Sequence, residues 1–203
     1  MKKHPLDLLL EQGEHLHQDF KYFLSDTRKI SRSLAAFANT EGGRLLIGVK
    51  DNGKVVGLKN RDEERYVIEA AAGVFCKPAV VYTEQFWDYY GKTVLEIDIP
   101  KSCEAPHTAP DESGRATVYI RVADENKCAT KLEEEYLRMK HSGLQMNFAV
   151  TQPEQRVLDY FRQNGLDFSI KGNYDLDKIA RECIIPKDQC LKLICKMAIL
   201  EEE

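Results

Sequence analysis

The chain has 203 residues and a formal net charge of −4, with 43% hydrophobic and 31% charged residues. This composition is typical of a globular protein with one good core and a small second unit. No apolar run is long enough to predict a transmembrane helix, and the apolar stretch near the N-terminus is too short for a secretory signal. Six cysteines without a CxxC pair indicate reduced, mostly buried thiols in the cytoplasm and argue against a structural zinc site.

Helix and strand patterns alternate over the first half of the chain. Gly13 ends a short helix, Ser25 or Asp26 caps a longer one, and a turn at residues 51–53 joins two strands. The predicted helices cover residues 5–12, the stretch up to residue 39, and residues 61–75, and the predicted strands cover residues 15–24, 45–49 and 54–58.

Further strands are predicted at residues 79–86, 92–99 and 117–122, with a long polar loop at residues 100–114 and a charged helix at residues 130–140. Together these elements predict an α+β domain over residues 1–147, with helices packed on a mixed sheet.

Residues 148–203 show only helical patterns, at 153–164, at 176–183 and from residue 186 onwards. Three short helices resemble the core of a winged helix-turn-helix, although the sequence reaches residue 203 without the pattern of a wing. Gln189, Lys192 and Lys196 lie on one face of the third predicted helix, where they would enter a major groove. The charge of this unit argues against DNA reading, because it has eight Lys and Arg residues but ten Asp and Glu residues. Any three-helix packing module would show the same apolar spacing.

The segment at residues 35–58, AAFANTEGGRLLIGVKDNGKVVGL, is the most specific feature of the chain. It resembles the signature of the Schlafen-like, AlbA-type domain family, and the resemblance covers about residues 8–145. Upstream, Glu14 followed by Asp19-Phe20-Lys21 matches a second family element, with Asp19 in place of the usual Glu. Arg121, on a predicted strand, matches a weaker third element. The matching residues of the main signature are Ala36-Phe37-Ala38-Asn39-Thr40, Gly42, Gly43, Gly48, Val49, Asp51, Gly53 and Gly57.

The resemblance implies a nucleic-acid-binding protein that acts on DNA or RNA, such as a transcriptional regulator. Schlafen domains place two copies of this fold face to face, so a single copy implies a homodimer. By resemblance, the residues expected to face phosphates are Lys21, Arg28, Lys29 and Arg121. The sequence pI of about 5.8 argues mildly against a large nucleic-acid footprint.

Two alternatives stay open. Some Schlafen proteins cut structured RNA with three acidic residues, which correspond here to Glu14, Asp19 and Asp51. Three carboxylates that converge on Mg²⁺ or Mn²⁺ would activate a water molecule, giving a metal-dependent endoribonuclease. Asp19 is one methylene shorter than Glu, and Lys50 precedes Asp51 where another acid would suit a metal better. The third hypothesis is a domain for self-association or partner binding without nucleic acid, which the acidic pI favours.

Overall fold

The computed structural model describes residues 3–142 and 150–202, and none of the helices in these ranges is long and apolar enough to span a membrane. The described part of the chain is an α+β structure. Its α-helices are α1 (Pro5–Gln12), α2 (Thr27–Asn39), α3 (Arg61–Ala70), α4 (Lys131–His141), α5 (Gln152–Asn164), α6 (Leu176–Glu182) and α7 (Lys187–Glu202), and a π-helical turn (Ala71–Phe75) continues α3. Its strands are β1 (Gln18–Lys21), β2 (Gly43–Ile47), β3 (Thr83–Tyr89), β4 (Lys92–Ile99), β5 (Thr108–Pro110), β6 (Ala116–Val122) and β7 (Glu125–Cys128).

The chain forms two compact units, Met1–Ala129 and Thr130–Glu203. The sequence predicts a division near residue 147, which would place α4 in the first unit. In the structure α4 belongs to the second unit because its buried side chains pack on α7. The Sγ of Cys195 lies 3.5 Å from the Leu132 carbonyl, and the Tyr136 hydroxyl donates to Glu202 at 2.6 Å.

A four-stranded mixed sheet in the order β1-β2-β4-β3 forms the centre of the first unit. Strands β1 and β2 are parallel, and the other pairs are antiparallel. Because side chains alternate along a strand, Leu45 and Ile47 of β2 join the core under α2, whereas Leu46 packs with Leu6 of α1 and Phe20 of β1 on the opposite face. The sheet is therefore covered on both faces.

A second, three-stranded antiparallel sheet, β5-β6-β7, also packs against α2. The sequence predicts a polar loop over residues 100–114, but this segment contains β5 and the buried His107. It is held in place by Asn39 at the end of α2. The side chain of Asn39 donates to the carbonyls of His107 and Tyr119, both at 2.8 Å, and accepts from the His107 amide at 2.7 Å.

The predicted returning strand at residues 54–58 does not form beyond a single bridge between Val49 and Val55. The chain instead lies across the end of β2, since the amides of Val56 and Gly57 both donate to the carbonyl of Gly48. The Leu58 amide donates to the Thr93 carbonyl of β4. The hairpin signal of residues 51–53 thus gives a turn, but tertiary hydrogen bonds replace the strand pairing that would follow it.

Two glycines of the signature, in the turn between α2 and β2, allow the backbone to lie close to the end of β4 and to the Phe37 ring. Gly42 has a φ of +73°, and a Cβ there would lie 2.7 Å from the Ile99 carbonyl oxygen. A Cβ on Gly43 would lie 2.5 Å from the ring of Phe37. A side chain at Gly42 would therefore push the turn away from the end of β4, and one at Gly43 would separate α2 from the sheet.

Within residues 130–142 and 150–202, the regular elements of the second unit are all helices, and no wing hairpin occurs in those ranges. The ring of Phe161 on α5 stacks on Phe168 with centroids 4.3 Å apart. Arg156 of α5 donates to the Cys183 carbonyl at the end of α6 at 2.6 Å. Three of its helices match the predicted ones closely, and α4 is an additional member of the unit.

Asn39→Ala should destabilise the first unit by about 3 kcal/mol, because two buried carbonyls and one buried amide lose their hydrogen-bond partner. Trp87 is the single tryptophan and lies on β3, so its fluorescence during urea unfolding reports on this unit. Asn52→Ala is the matched control, since Asn52 is exposed in a turn and should change stability by about 0.5 kcal/mol or less. Equal urea midpoints for the two variants would contradict the role given to Asn39.

Candidate functional site

The candidate site begins at β1, whose short sequence alternates between the two faces of the sheet. Asp19 pairs with Leu45 in the parallel register, and Lys21 pairs with Ile47, so both point towards the α2 side. Phe20 points to the opposite side, where it is buried with Leu6 of α1. The alternation brings an acid and a base of the second family element to the same face.

Glu14 and Asp19, which the family resemblance groups together, interact electrostatically in the structure. Glu14 Oε1 accepts from the amide of Phe20, the residue directly after Asp19, at 2.9 Å. Burial and the hydrogen bond with Asp19 raise the pKa of Glu14 to about 7.

Two cations of the chain itself lie beside Asp19. Its Oδ2 is 2.7 Å from Nζ of Lys21 and 3.9 Å from Nη1 of Arg121. The same oxygen is buried and has no partner in hydrogen-bonding geometry, so these contacts are electrostatic. Lys21 also donates to the carbonyl of Phe20 at 3.1 Å. The negative charge of Asp19 is thereby compensated inside the first unit.

Arg121 is buried, with a side chain only 1% exposed, and does not face solvent as a phosphate ligand would. Its guanidinium donates to the carbonyls of His15 and Gln18 at 3.1 and 3.4 Å and to Asn126 at 2.9 Å. It also lies 4.6 Å from the ring centroid of Phe37, in a cation–π contact. In this structure Arg121 holds the turn before β1 in place.

Arg28 and Lys29 lie in the first turn of α2, and both are exposed. The N-cap residue Asp26 accepts from their backbone amides at 2.9 and 3.3 Å. Within residues 3–142 and 150–202, neither side chain forms an ion pair within 4.0 Å of a carboxylate. Their positive charges therefore face solvent.

Asp51, the third acid of the predicted set, lies in the exposed turn after β2. In the described ranges no group of three or more His, Cys, Asp or Glu residues has the geometry to hold a metal ion. As described, Asp19 is compensated by Lys21 and Arg121, and the three acids do not form a ready Mg²⁺ or Mn²⁺ site. The metal-dependent triad stays a prediction.

Three residues that the sequence did not single out build the surroundings of the pair. Gln18 is buried and donates to the carbonyls of Leu9 and Gly13 at 2.7 and 2.8 Å, which fixes the end of α1. Asn126 connects Arg121 to the hydroxyl of Ser33 on α2. From the sequence alone, polar residues beside a family motif give only a weak indication of such a role, because only the fold shows which of them pack inside the unit.

The predicted recognition residues of the second unit lie on α7. Gln189 and Lys192 are exposed and Lys196 is half-buried. Lys192 faces a groove between α4 and α7 whose walls carry mixed charges, among them Lys131, Glu135 and Asp188. DNA phosphates or bases would have to compete with the neighbouring carboxylates for the Lys192 ammonium group. The role of the three residues in reading DNA stays a prediction.

Glu14→Gln should remove a pH dependence of stability. The raised pKa means that the folded protein retains a proton on Glu14 that the unfolded chain releases, so this stabilisation is complete below about pH 4.5 and is lost as the pH rises towards about 7. Gln preserves a neutral hydrogen-bond donor and an acceptor at every pH. The variant should therefore gain about 1–2 kcal/mol over the wild type at pH 8 relative to pH 5, after allowance for solvent screening.

Urea unfolding followed by Trp87 fluorescence at the two pH values measures this difference. Glu112→Gln, at an exposed loop position, is the control and should follow the wild type. Parallel pH curves for Glu14→Gln and the wild type would show that Glu14 titrates as an ordinary surface acid.

Comparison with known proteins places this arrangement in a family. Among solved structures, the DIP2311 protein from Corynebacterium diphtheriae is 21% identical with a TM-score of 0.45; the alignment covers 68% of this chain and 29% of that one. The N-terminal domain of a RecG-related, ATP-dependent DNA helicase-like protein from Nitrosomonas europaea is 24% identical with a TM-score of 0.44, over 60% and 88% of the two chains. This chain thus spans less than a third of the DIP2311 protein, and similarity at this level says nothing about function.

The profile of the family described as Schlafen, AlbA_2 matches residues 14–130. The match is more than half of the chain and contains the Glu14–Asp19 pair, the whole signature and Arg121. This protein belongs to the Schlafen AlbA_2 family.

Proposed function

We propose that the first unit binds the backbone of nucleic acid, through cations at the start of α2. Membership of the Schlafen AlbA_2 family supports this function. The observation that carries it is the pair of exposed cations, Arg28 and Lys29, for which the described residues provide no carboxylate partner. Lys21 lies at the edge of the same segment, on the last residue of β1.

The exposed pair is suited to a phosphate for electrostatic reasons. Cations already paired with carboxylates gain little from a phosphate, whereas unpaired ones release counterions when they bind nucleic acid. The positive end of the helix dipole adds to the charges of Arg28 and Lys29 in the first turn of α2. Since the backbone amides of Arg28 and Lys29 already donate to Asp26, a phosphate would be bound by the side chains of these two residues.

The wider role proposed is that of a transcriptional regulator in the cytoplasm that works as a homodimer. A dimer would place two copies of the Arg28–Lys29 pair on one nucleic-acid molecule and so increase the charge that faces it. Gln189, Lys192 and Lys196 of α7 would then supply a second contact in the other unit. Each element of this role can be tested separately.

Binding of a labelled nucleic acid should weaken as salt is added, and the double variant Arg28→Gln/Lys29→Gln should lower the slope of log affinity against log salt by about 1.5–2. Fluorescence anisotropy with duplex DNA and with a hairpin RNA, at several salt concentrations, measures the slope. A second variant, Gln189→Ala/Lys192→Gln/Lys196→Gln, tests the contribution of α7 in the same assay.

Lys101→Gln/Lys127→Gln is the matched control because it removes the same net charge from the same unit. Both lysines are exposed but already pair with carboxylates, Lys101 with Glu41 and Lys127 with Glu125. The control should retain most of the wild-type slope. If neither probe binds at low salt and the protein sediments as a stable oligomer, the self-association hypothesis replaces this one.

A second candidate function is cleavage of structured RNA. The observation that favours it is the Glu14–Asp19 pair, because a carboxyl group with a pKa of about 7 is suited to proton transfer near neutral pH. Perturbed pairs of this kind also occur for structural reasons. In the described conformation Lys21 and Arg121 compensate Asp19, and this arrangement differs from three acids converging on a divalent cation.

Incubation of a hairpin RNA with the protein and Mg²⁺ or Mn²⁺ tests the candidate directly. A nuclease should lose at least about a hundredfold in rate in both Glu14→Gln and Asp19→Asn, since each variant removes one of the proposed proton-transfer or ligand groups. Glu112→Gln should cleave like the wild type. Cleavage that survives both site variants would point to a contaminating nuclease.

A further inference from the structure

We propose that Tyr22 and Phe23 form a stacking platform for the bases of single-stranded nucleic acid. The platform consists of these two rings with Lys50 and Lys59 against them. This inference rests on the proposed function, that the first unit binds nucleic acid, and adds the class of ligand: an unpaired strand of DNA or RNA.

Two large aromatic side chains stand side by side on the surface directly after β1. Tyr22 is 42% exposed and Phe23 is 45% exposed. Their ring centroids are 5.1 Å apart, and the planes are nearly perpendicular at 85°. Neither ring is part of the hydrophobic clusters on the two faces of the sheet. The exposed part of each ring that no neighbouring side chain covers is available to a flat apolar partner.

The backbone that carries the two rings is anchored at both ends. The carbonyl of Lys21 accepts from the amides of Gly48 and Val49 at 2.8 and 3.3 Å. On the other side, Leu24 is buried, and its amide donates to the carboxylate of Glu64 on α3 at 3.0 Å. The rings are thus presented by a fixed backbone, which lowers the entropy lost when a ligand binds.

A lysine lies against each ring. Nζ of Lys50 is 5.3 Å from the centroid of Tyr22, and Nζ of Lys59 is 5.5 Å from the centroid of Phe23. Both lysines are exposed, and Lys21 immediately precedes the rings. In the described ranges neither Lys50 nor Lys59 forms an ion pair with a carboxylate within 4.0 Å.

This combination favours nucleic acid over an apolar protein partner. A strand of nucleic acid offers a flat base and a phosphate at each nucleotide, and the platform offers an aromatic ring and a cation at each of two adjacent positions. A partner protein with an apolar face would leave both ammonium groups to be desolvated without compensation. The bases of a duplex are stacked on one another, so their faces are available to these rings only in an unpaired strand.

Anisotropy titrations with labelled oligothymidylate and oligouridylate of about 20 nucleotides, beside a duplex of the same length, test the platform. The variants are Tyr22→Ala and Phe23→Ala, and each should weaken binding of the single strands between about fivefold and a hundredfold. Tyr22→Phe retains a ring and should bind within about twofold of the wild type, whereas Tyr22→Leu retains apolar bulk without a π-face and should bind like Tyr22→Ala.

Tyr66→Ala is the matched control, because Tyr66 is 71% exposed on α3 and belongs to the same unit. It should leave binding unchanged. Equal effects on the two single-stranded probes would indicate that the platform accepts either sugar, and a difference would name DNA or RNA as the ligand.

The outcomes separate this inference from the function on which it rests. If the wild type binds none of the probes at low salt, the proposed function fails and the platform fails with it. If the wild type binds but Tyr22→Ala and Phe23→Ala bind within about twofold of it, the platform alone is overturned and the backbone contact stands. Dissociation of an oligomer by these variants, with nucleic-acid binding unchanged, would identify the rings as a self-association surface instead.

Discussion

The structure of the first unit depends on one buried cation. The guanidinium of Arg121 has almost no contact with water, so its charge must be compensated inside the protein. Its Nη2 donates to the carbonyls of His15 and Gln18, its plane lies over the ring of Phe37, and its Nη1 is 3.9 Å from Asp19, whereas the buried Nε has no hydrogen-bond partner in the described residues. Three separate elements, β1, α2 and β6, are joined at this point. The burial of Asp19 is tolerated because Arg121 and Lys21 lie beside it.

Much of the family signature supports this arrangement from α2. Thr40 accepts from the backbone amide of Arg121 at 2.9 Å, and Asn39 fixes the strand that carries Arg121 through the Tyr119 carbonyl. Gly42 and Gly43 let the chain turn back closely enough for β2 to lie beside β1. The signature therefore specifies how α2, β2 and β6 meet. A match to the signature is therefore strong evidence of the fold. The ligand has to be inferred from the residues on the surface.

The sequence predicted the elements with a local signal and missed those that depend on distant contacts. Helix α2 was predicted to end at Asn39 and to begin after Ser25 or Asp26, and the structure confirms Asp26 as the cap. Strand β4 agrees with its predicted bounds. In contrast, residues 54–58 were predicted to form a strand and do not, because their backbone amides donate to the carbonyls of Gly48 and Thr93 and not to a neighbouring strand in a regular ladder. The Glu14–Asp19 pair was identified from the family resemblance. The burial of Arg121 could not be predicted, since it arises from the packing of β6 on α2. The anchoring by Gln18 could not be predicted either, since it depends on where the end of α1 lies in the fold.

The burial of Arg121 also bears on where a nucleic acid would bind. Inside the unit, Arg121 and Lys21 are engaged by Asp19, so they add little to an outer surface. Four of the cations with no carboxylate partner in the described residues are Arg28 and Lys29 after β1, Lys50 after β2, and Lys59 before α3, on segments that leave the sheet. Three of the four come from segments directly following the parallel strands β1 and β2, whose carboxyl ends meet at one edge of the sheet. A protein with a net charge of −4 can in this way present local positive charge, because its acids are used to pair other cations.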